Sequence, residues 1–183
     1  MRRALPLLLV LLLAGCSAGG SPKPKPTNIG GLQTFVEEPK IRHVKGHVTY
    51  DHTPPAGGQL FGAWLACAVY DEPVPNEFAV HSEEHGAVWL TYLPGEDPAP
   101  LKALYDGRKD YVLVSPYPGQ PGKYMASTWG AQLSVDSSHD PRLKSFVDSY
   151  AGGGQGGEKG ADCAHGLTPA QAKALFAKAN GGS

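Results

Sequence analysis

The stretch that most constrains this chain runs from Val74 to Tyr92 and reads VPNEFAVHSEEHGAVWLTY. Pro73 and Pro75 stop any earlier element, and Asn76 is suited to cap a short helix whose first turns hold Phe78, Val80 and His81. Gly86 is placed to end that helix in the left-handed conformation that glycine adopts without a steric penalty. Ala87 to Leu93 (AVWLTYL) then reads as a buried strand. The chain must therefore pack a helix end directly against the start of a sheet strand. On that helix His81 and His85 stand at i and i+4, on one face, with Glu84 beside them.

The remaining elements follow from periodicity and punctuation. A strand is expected over Val44–Tyr50, with Val44, Gly46, Val48 and Tyr50 on alternate positions and His47 on the outward face. Asp51 to Gly58 holds two prolines and two glycines and reads as a shaped loop, and Leu60 to Tyr70 as a buried irregular run. A short helix is expected over Pro98–Asp106, a strand over Tyr111–Ser115, and one long strand bent at Gly130 over Lys123–Val135. Asp140 and Pro141 open the clearest helix, with Leu143, Phe146, Val147 and Tyr150 at i, i+3, i+4 and i+7 and Gly152 at its end. A last helix begins at Pro169 behind Thr168, with Ala172, Leu175, Phe176 and Ala179 on one face. The order predicts a single α+β domain, a mixed or antiparallel sheet of about four strands with flanking helices. A thioredoxin-like variant fits that order, but the C-x-x-C redox pair is absent.

The N-terminus predicts where the protein lives. Met1-Arg2-Arg3 is followed by an apolar run from Ala4 to Ala14, eleven residues, against the roughly 20 that a spanning helix needs. Such a run is the pattern of a removable secretory signal. Leu13-Ala14-Gly15-Cys16 resembles the bacterial lipoprotein box, so residues 1–15 are expected to be removed and Cys16 to carry lipid at the outer face of the cell membrane. Residues 16–31 lack the apolar side chains of a core and read as a tether, 32–151 as the folded domain, and 152–183 as a Gly-rich tail with a helix. Loss of Arg2 and Arg3 leaves 14 Lys+Arg against 17 Asp+Glu, a net charge of −3, and no basic patch suited to nucleic acid. Cys67 and Cys163 then form an even pair in an oxidising compartment and are expected as a disulfide. Closing so long a loop is worth about 4–5 kcal/mol in the chain-entropy account. The alternative is Cys67 as a soft metal ligand.

His81-Ser82-Glu83-Glu84-His85 matches H-x-x-E-H, in which two imidazoles share a metal and the carboxylate polarises a bound water. No third ligand stands at a local spacing; Asp148 or His139 can supply one only through tertiary contact. His47, His52 and Met125 are further candidates, and imidazole with thioether or thiolate suits copper as well as zinc. Set against this, His81 and His85 can serve purely as hydrogen-bonding posts that lock the helix-to-strand turn.

Three segments in order, HVTYDHTPPAGG, AVYDEPVPNEFAVHSEEHGAVWLTY and YVLVSPYPGQPGKYMASTWG, resemble the bacterial family known as domain of unknown function 3105. The resemblance covers Ile41 to Tyr150 and implies a secreted or membrane-tethered protein of a kind frequent in actinobacteria, with no established activity. The family pattern continues PP-x-S-G-x-H, where this chain has Gly57-Gly58-Gln59-Leu60 and no histidine, and it often has Leu where Glu83 stands. A metal site that relied on the missing histidine would be altered here.

Three functions remain open on these residues. The first is a lipid-anchored extracytoplasmic protein binding copper or zinc through His81 and His85, with help from His47, His52 or Met125. The second is a zinc hydrolase with Glu84 as base. The third is a structural or partner-binding lipoprotein without a small ligand, its partner unspecified.

Overall fold

The computed structural model describes residues 28–36, 43–153, 155–158 and 160–182. The predicted signal segment, Cys16 and most of the tether lie outside the described residues. In chain order the elements are β1 (Gln33–Thr34), β2 (His43–Val44), β3 (Leu60–Phe61), α1 (Asn76–Glu84), β4 (Val88–Tyr92), α2 (Ala99–Asp106), β5 (Val112–Pro116), β6 (Tyr124–Thr128), β7 (Ala131–Val135), α3 (Pro141–Tyr150) and α4 (Pro169–Ala179).

Five strands form one mixed sheet in the order β1-β7-β6-β4-β5, parallel only between β4 and β5. The fold is thus the predicted single α+β domain with a mixed sheet and flanking helices. The sheet is one short strand wider than expected. A second, two-stranded sheet pairs β2 with β3 in parallel.

Strand alternation divides the interior into two unlike halves. On one face Val88, Leu90, Val112, Val114, Ala126, Leu133 and Val135 meet Leu101 of α2 and Leu143, Phe146, Val147 and Tyr150 of α3 in an apolar core. On the other face Trp89 and Leu113 pack with Phe78 and Ala79 of α1 and Ala172 of α4. This second face also buries polar groups: Trp89 Nε1 donates to Ser115 Oγ at 2.9 Å, and Gln132 Nε2 donates to Pro54 O at 2.8 Å and Ser127 Oγ at 2.9 Å. Helix α1 therefore lies on the face that already tolerates buried polar groups.

Local chemistry explains where elements start and stop. Asp140 caps α3 by accepting from Arg142 N–H at 2.9 Å, and Thr168 with Gln171 makes a capping box on α4. Gly86 has φ 88, and Gly86 N–H to Glu83 O with Ala87 N–H to Ser82 O closes the end of α1 as a Schellman motif before β4 begins.

Four local expectations change. The strand expected over Val44–Tyr50 stops at Val44, because Val48 N–H is spent on Glu77 Oε1 at 3.0 Å and not on a ladder. The long strand expected over Lys123–Val135 is a hairpin turning at Trp129-Gly130, with Gly130 at φ 74. Pro75, not Asn76, occupies the N-cap of α1, and the Asn76 amide donates to Tyr117 Oη at 3.2 Å. On α4 only Pro169 and Ala172 are buried, while Leu175 is 37% exposed.

The segment after α3 is tied to the α1 side of the body. Gly152 N–H donates to Gly86 O at 2.9 Å, and Leu167 N–H donates to Trp64 O at 2.8 Å. Cys67 and Cys163 form the expected disulfide, with Cα atoms 5.1 Å apart across 96 positions. Gly156 and Gly166 lie so close to the backbones of Glu84 and Leu65 that a Cβ at either would overlap them. Glycine is required at both for that approach.

Candidate metal centre

Helix α1 presents His81 and His85 one turn apart, both buried, with ring centroids 4.8 Å apart and planes at 80°. Each ring is held by its Nδ1 on a backbone carbonyl: His81 on Phe61 O at 2.7 Å, His85 on Asp162 O at 2.9 Å. A carbonyl only accepts, so each Nδ1 carries a hydrogen, and Nε2 is the atom of each ring left to meet a carboxylate or an ion. This is the orientation in which backbone carbonyls hold metal-ligating histidines. His81 Nε2 lies 3.8 Å from Glu84 Oε2, and His85 Nε2 lies 3.0 Å from Glu158 Oε2.

His81, His85 and Glu158 border a pocket of about 500 Å³ that is also lined by His43, Trp64 and Asp162. Trp64 packs against both imidazoles, at 5.5 and 4.6 Å between centroids. Two groups of donor atoms each lie within 4.8 Å of one another: His81, His85 and Glu158, and His43, His81 and Glu84. His81 is common to both.

Burial sets the electrostatics. It pushes the His81 imidazole down to about 4, against the pull of the Phe61 carbonyl, and His85 and His43 reinforce the depression. His81 is thus neutral at physiological pH, the form that binds a metal. Burial, reinforced by Glu158, raises the Glu84 carboxyl to about 7. Glu84 Oε2 is buried and accepts no hydrogen bond among the described residues, an arrangement that costs stability unless something supplies a partner.

Of the residues singled out in the sequence, the fold brings His81, His85 and Glu84 together and places the others elsewhere. His47 is exposed, 3.4 Å from Glu77 Oε1 and edge-on to Phe176. His52 stacks on Phe35 at 3.6 Å. Met125 is buried in β6 between Thr91 and Ser134. Cys67 is in the disulfide and is not a ligand. His139 is exposed before α3, and Asp148 pairs with Lys144 and Arg108. The third donor is instead Glu158, and a fourth ring, His43, lies 5.3 Å from His81. A signal for Glu158 was present: it stands five positions before Cys163, whose partner Cys67 lies in the run leading to α1.

The family described as Protein of unknown function (DUF3105) matches residues 43–165, two thirds of the chain. The chain belongs to this family. The DUF3105 span begins at His43 and runs past Asp162, so it contains every residue of the pocket. None of the curated proteins and none of the solved structures matches the chain. The chemistry of this family member must therefore be read from its own residues.

Proposed function

We propose that this chain is a lipid-anchored protein of the extracytoplasmic membrane face that binds one divalent transition ion through His81, His85 and Glu158. One observation carries the metal assignment: two imidazoles held by Nδ1 on carbonyls each turn Nε2 toward a carboxylate, His85 toward Glu158 in the pocket and His81 toward the buried Glu84. A structural role accounts for the Nδ1 bonds and for an ion pair between His85 and Glu158; the second carboxylate, beside His81 Nε2, is surplus to that role.

Imidazole and carboxylate donors without thioether or thiolate favour zinc or copper(II) and disfavour copper(I). This removes the soft-donor argument made from Met125 and Cys67. Three protein ligands leave a fourth position open, the pattern of zinc sites that admit water or an exchanging ligand. The lipid anchor rests on the box ending at Cys16, and the Cys67–Cys163 disulfide supports an oxidising compartment.

Metal analysis of untagged protein tests the assignment. Near one equivalent of zinc or copper is expected, lost in the His81→Ala/His85→Ala double variant; no metal in either, after incubation with both ions, refutes it. A hydrolytic zinc centre is the second reading, favoured by the unpartnered Glu84 Oε2 beside His81. Loss of turnover on a test ester in Glu84→Gln, with zinc content unchanged, would separate it from binding alone.

A further inference from the structure

The two halves of the pocket arrive by different routes. His81 lies in α1 and His85 caps its C-terminus, whereas Glu158 and the Asp162 carbonyl come from the segment that follows α3, Asp162 standing 77 positions beyond His85. That crossing segment has little of its own to hold it down. Between Gly152 and Asp162 it is mostly glycine, with Gln155, Glu158, Lys159 and Ala161, and of these only Gln155 is a buried side chain among the described residues. Ordering backbone costs conformational entropy, glycine the most, and glycine has no side chain with which to bury apolar surface in return.

Its hold comes from its ends. Gly152 N–H bonds Gly86 O, and at the far end the disulfide is joined by Cys67 N–H to Cys163 O at 2.8 Å and Ala66 N–H to Leu167 O at 2.9 Å. Cys163 is the residue next to Asp162, whose carbonyl fixes His85. Midway, Gly156 lies against the backbone of Glu84, which sets where Glu158 emerges.

We propose that the Cys67–Cys163 disulfide assembles the metal site, so that thiol oxidation must precede ion loading. The proposal rests on the metal-binding reading above. In the oxidation the two thiols lose two protons and two electrons as the S–S bond forms. The electrons pass to a disulfide-bearing oxidant of the extracytoplasmic space, which leaves as a dithiol. The bond then acts as a lock and not as a reversible switch, because Cys67 is 7% and Cys163 0% exposed and a reductant has little access. A chain still reduced before export has the two imidazoles but not their carboxylate or the Asp162 clamp, and it leaves the cytoplasm without the ion.

The test is Zn²⁺ affinity of the full chain, by competition with a chromophoric chelator, with Co²⁺ absorption reporting coordination. Oxidised wild type is compared with Cys67→Ser/Cys163→Ser, which leaves no thiolate to bind metal, with Gly156→Val, which keeps the disulfide but displaces the segment, and with Glu158→Gln. The serine pair and Gly156→Val are each expected to bind about 10–100-fold more weakly, as loss of outer support does elsewhere, and to lose the intense bands of tetrahedral Co²⁺. Wild-type affinity in a folded serine variant overturns the proposal while leaving the metal site standing. Should the serine variant not fold, wild-type affinity in Gly156→Val overturns it equally. Oxidised wild type that takes up no Zn²⁺ removes the metal reading, and this proposal with it.

Discussion

Helices α1 and α3 are nearly the same length, nine and ten residues, and both pack on the sheet, yet α1 buries carboxyl and imidazole groups where α3 buries none. The buried positions of α3 are Leu143, Phe146, Val147 and Tyr150. Those of α1 include Glu77, His81, Ser82, Glu83 and Glu84. Burial of ionisable groups is costly unless each finds a partner or changes its protonation. Helix α3 thus buries only apolar and aromatic side chains, whereas α1 adds buried ionisable groups to the apolar contacts of Phe78 and Ala79.

The largest effect should come from the apolar helix. Phe146→Ala is expected to destabilise the fold by about 3–5 kcal/mol, read by denaturant unfolding, while Zn²⁺ affinity of the folded fraction stays at the wild-type value. Should affinity fall in parallel, the two helices are not the separate devices described here.

Metal should matter only through α1. With free Zn²⁺ at 100 times its dissociation constant, wild type should gain about 2.7 kcal/mol of stability, and His81→Ala/His85→Ala should gain none in thermal unfolding. Equal gains in both proteins would place the ion elsewhere.

The pH response sharpens the contrast further. The His81 value is depressed from 6.5 to about 4, so its contribution is present above pH 6.5 and is lost as the pH falls toward 4. Glu84 is raised from 4.5 to about 7, so its contribution is present below pH 4.5 and is lost as the pH rises through 7. The two oppose each other in metal-free protein. Glu84→Gln should therefore leave stability rising from pH 4 to 6.5, and His81→Gln should leave it falling from pH 4.5 to 7. Each trend is expected on the order of 2 kcal/mol. Flat profiles in both variants would mean that neither group is held as the geometry implies.

The smallest difference lies at the helix starts. Asp140→Ala removes the α3 cap and should cost about 1 kcal/mol. Asn76→Ala should cost less, since α1 has no side-chain cap to lose. A larger cost at Asn76 would assign that loss to its bond with Tyr117.

Much of this was legible beforehand, and the residues show why. The α3 pattern, its Asp140 cap, the Gly86 stop and the Cys67–Cys163 pair all depend on side chains a few positions apart or on compartment chemistry. Trp129-Gly130 misled because the inward set slips there from Tyr124 and Ala126 to Ala131, Leu133 and Val135, and a one-residue slip in period-2 patterning marks a bend or a reversal equally. His47 looked like a ligand on a strand that ends at Val44, once Glu77 captures the Val48 amide.

By itself the sequence determined the α+β class, the join of helix to strand at Gly86, the disulfide, and two imidazoles with an acid on one helical face. Only the tertiary structure decided which further groups meet them. His43 and Glu158 reach the pocket because a short two-stranded sheet and a glycine-rich crossing close over α1. The physical reason is range. Capping and periodicity act within a turn or two of chain, whereas a set of ligands is completed by loops whose approach depends on close backbone packing and a covalent tie across 96 positions.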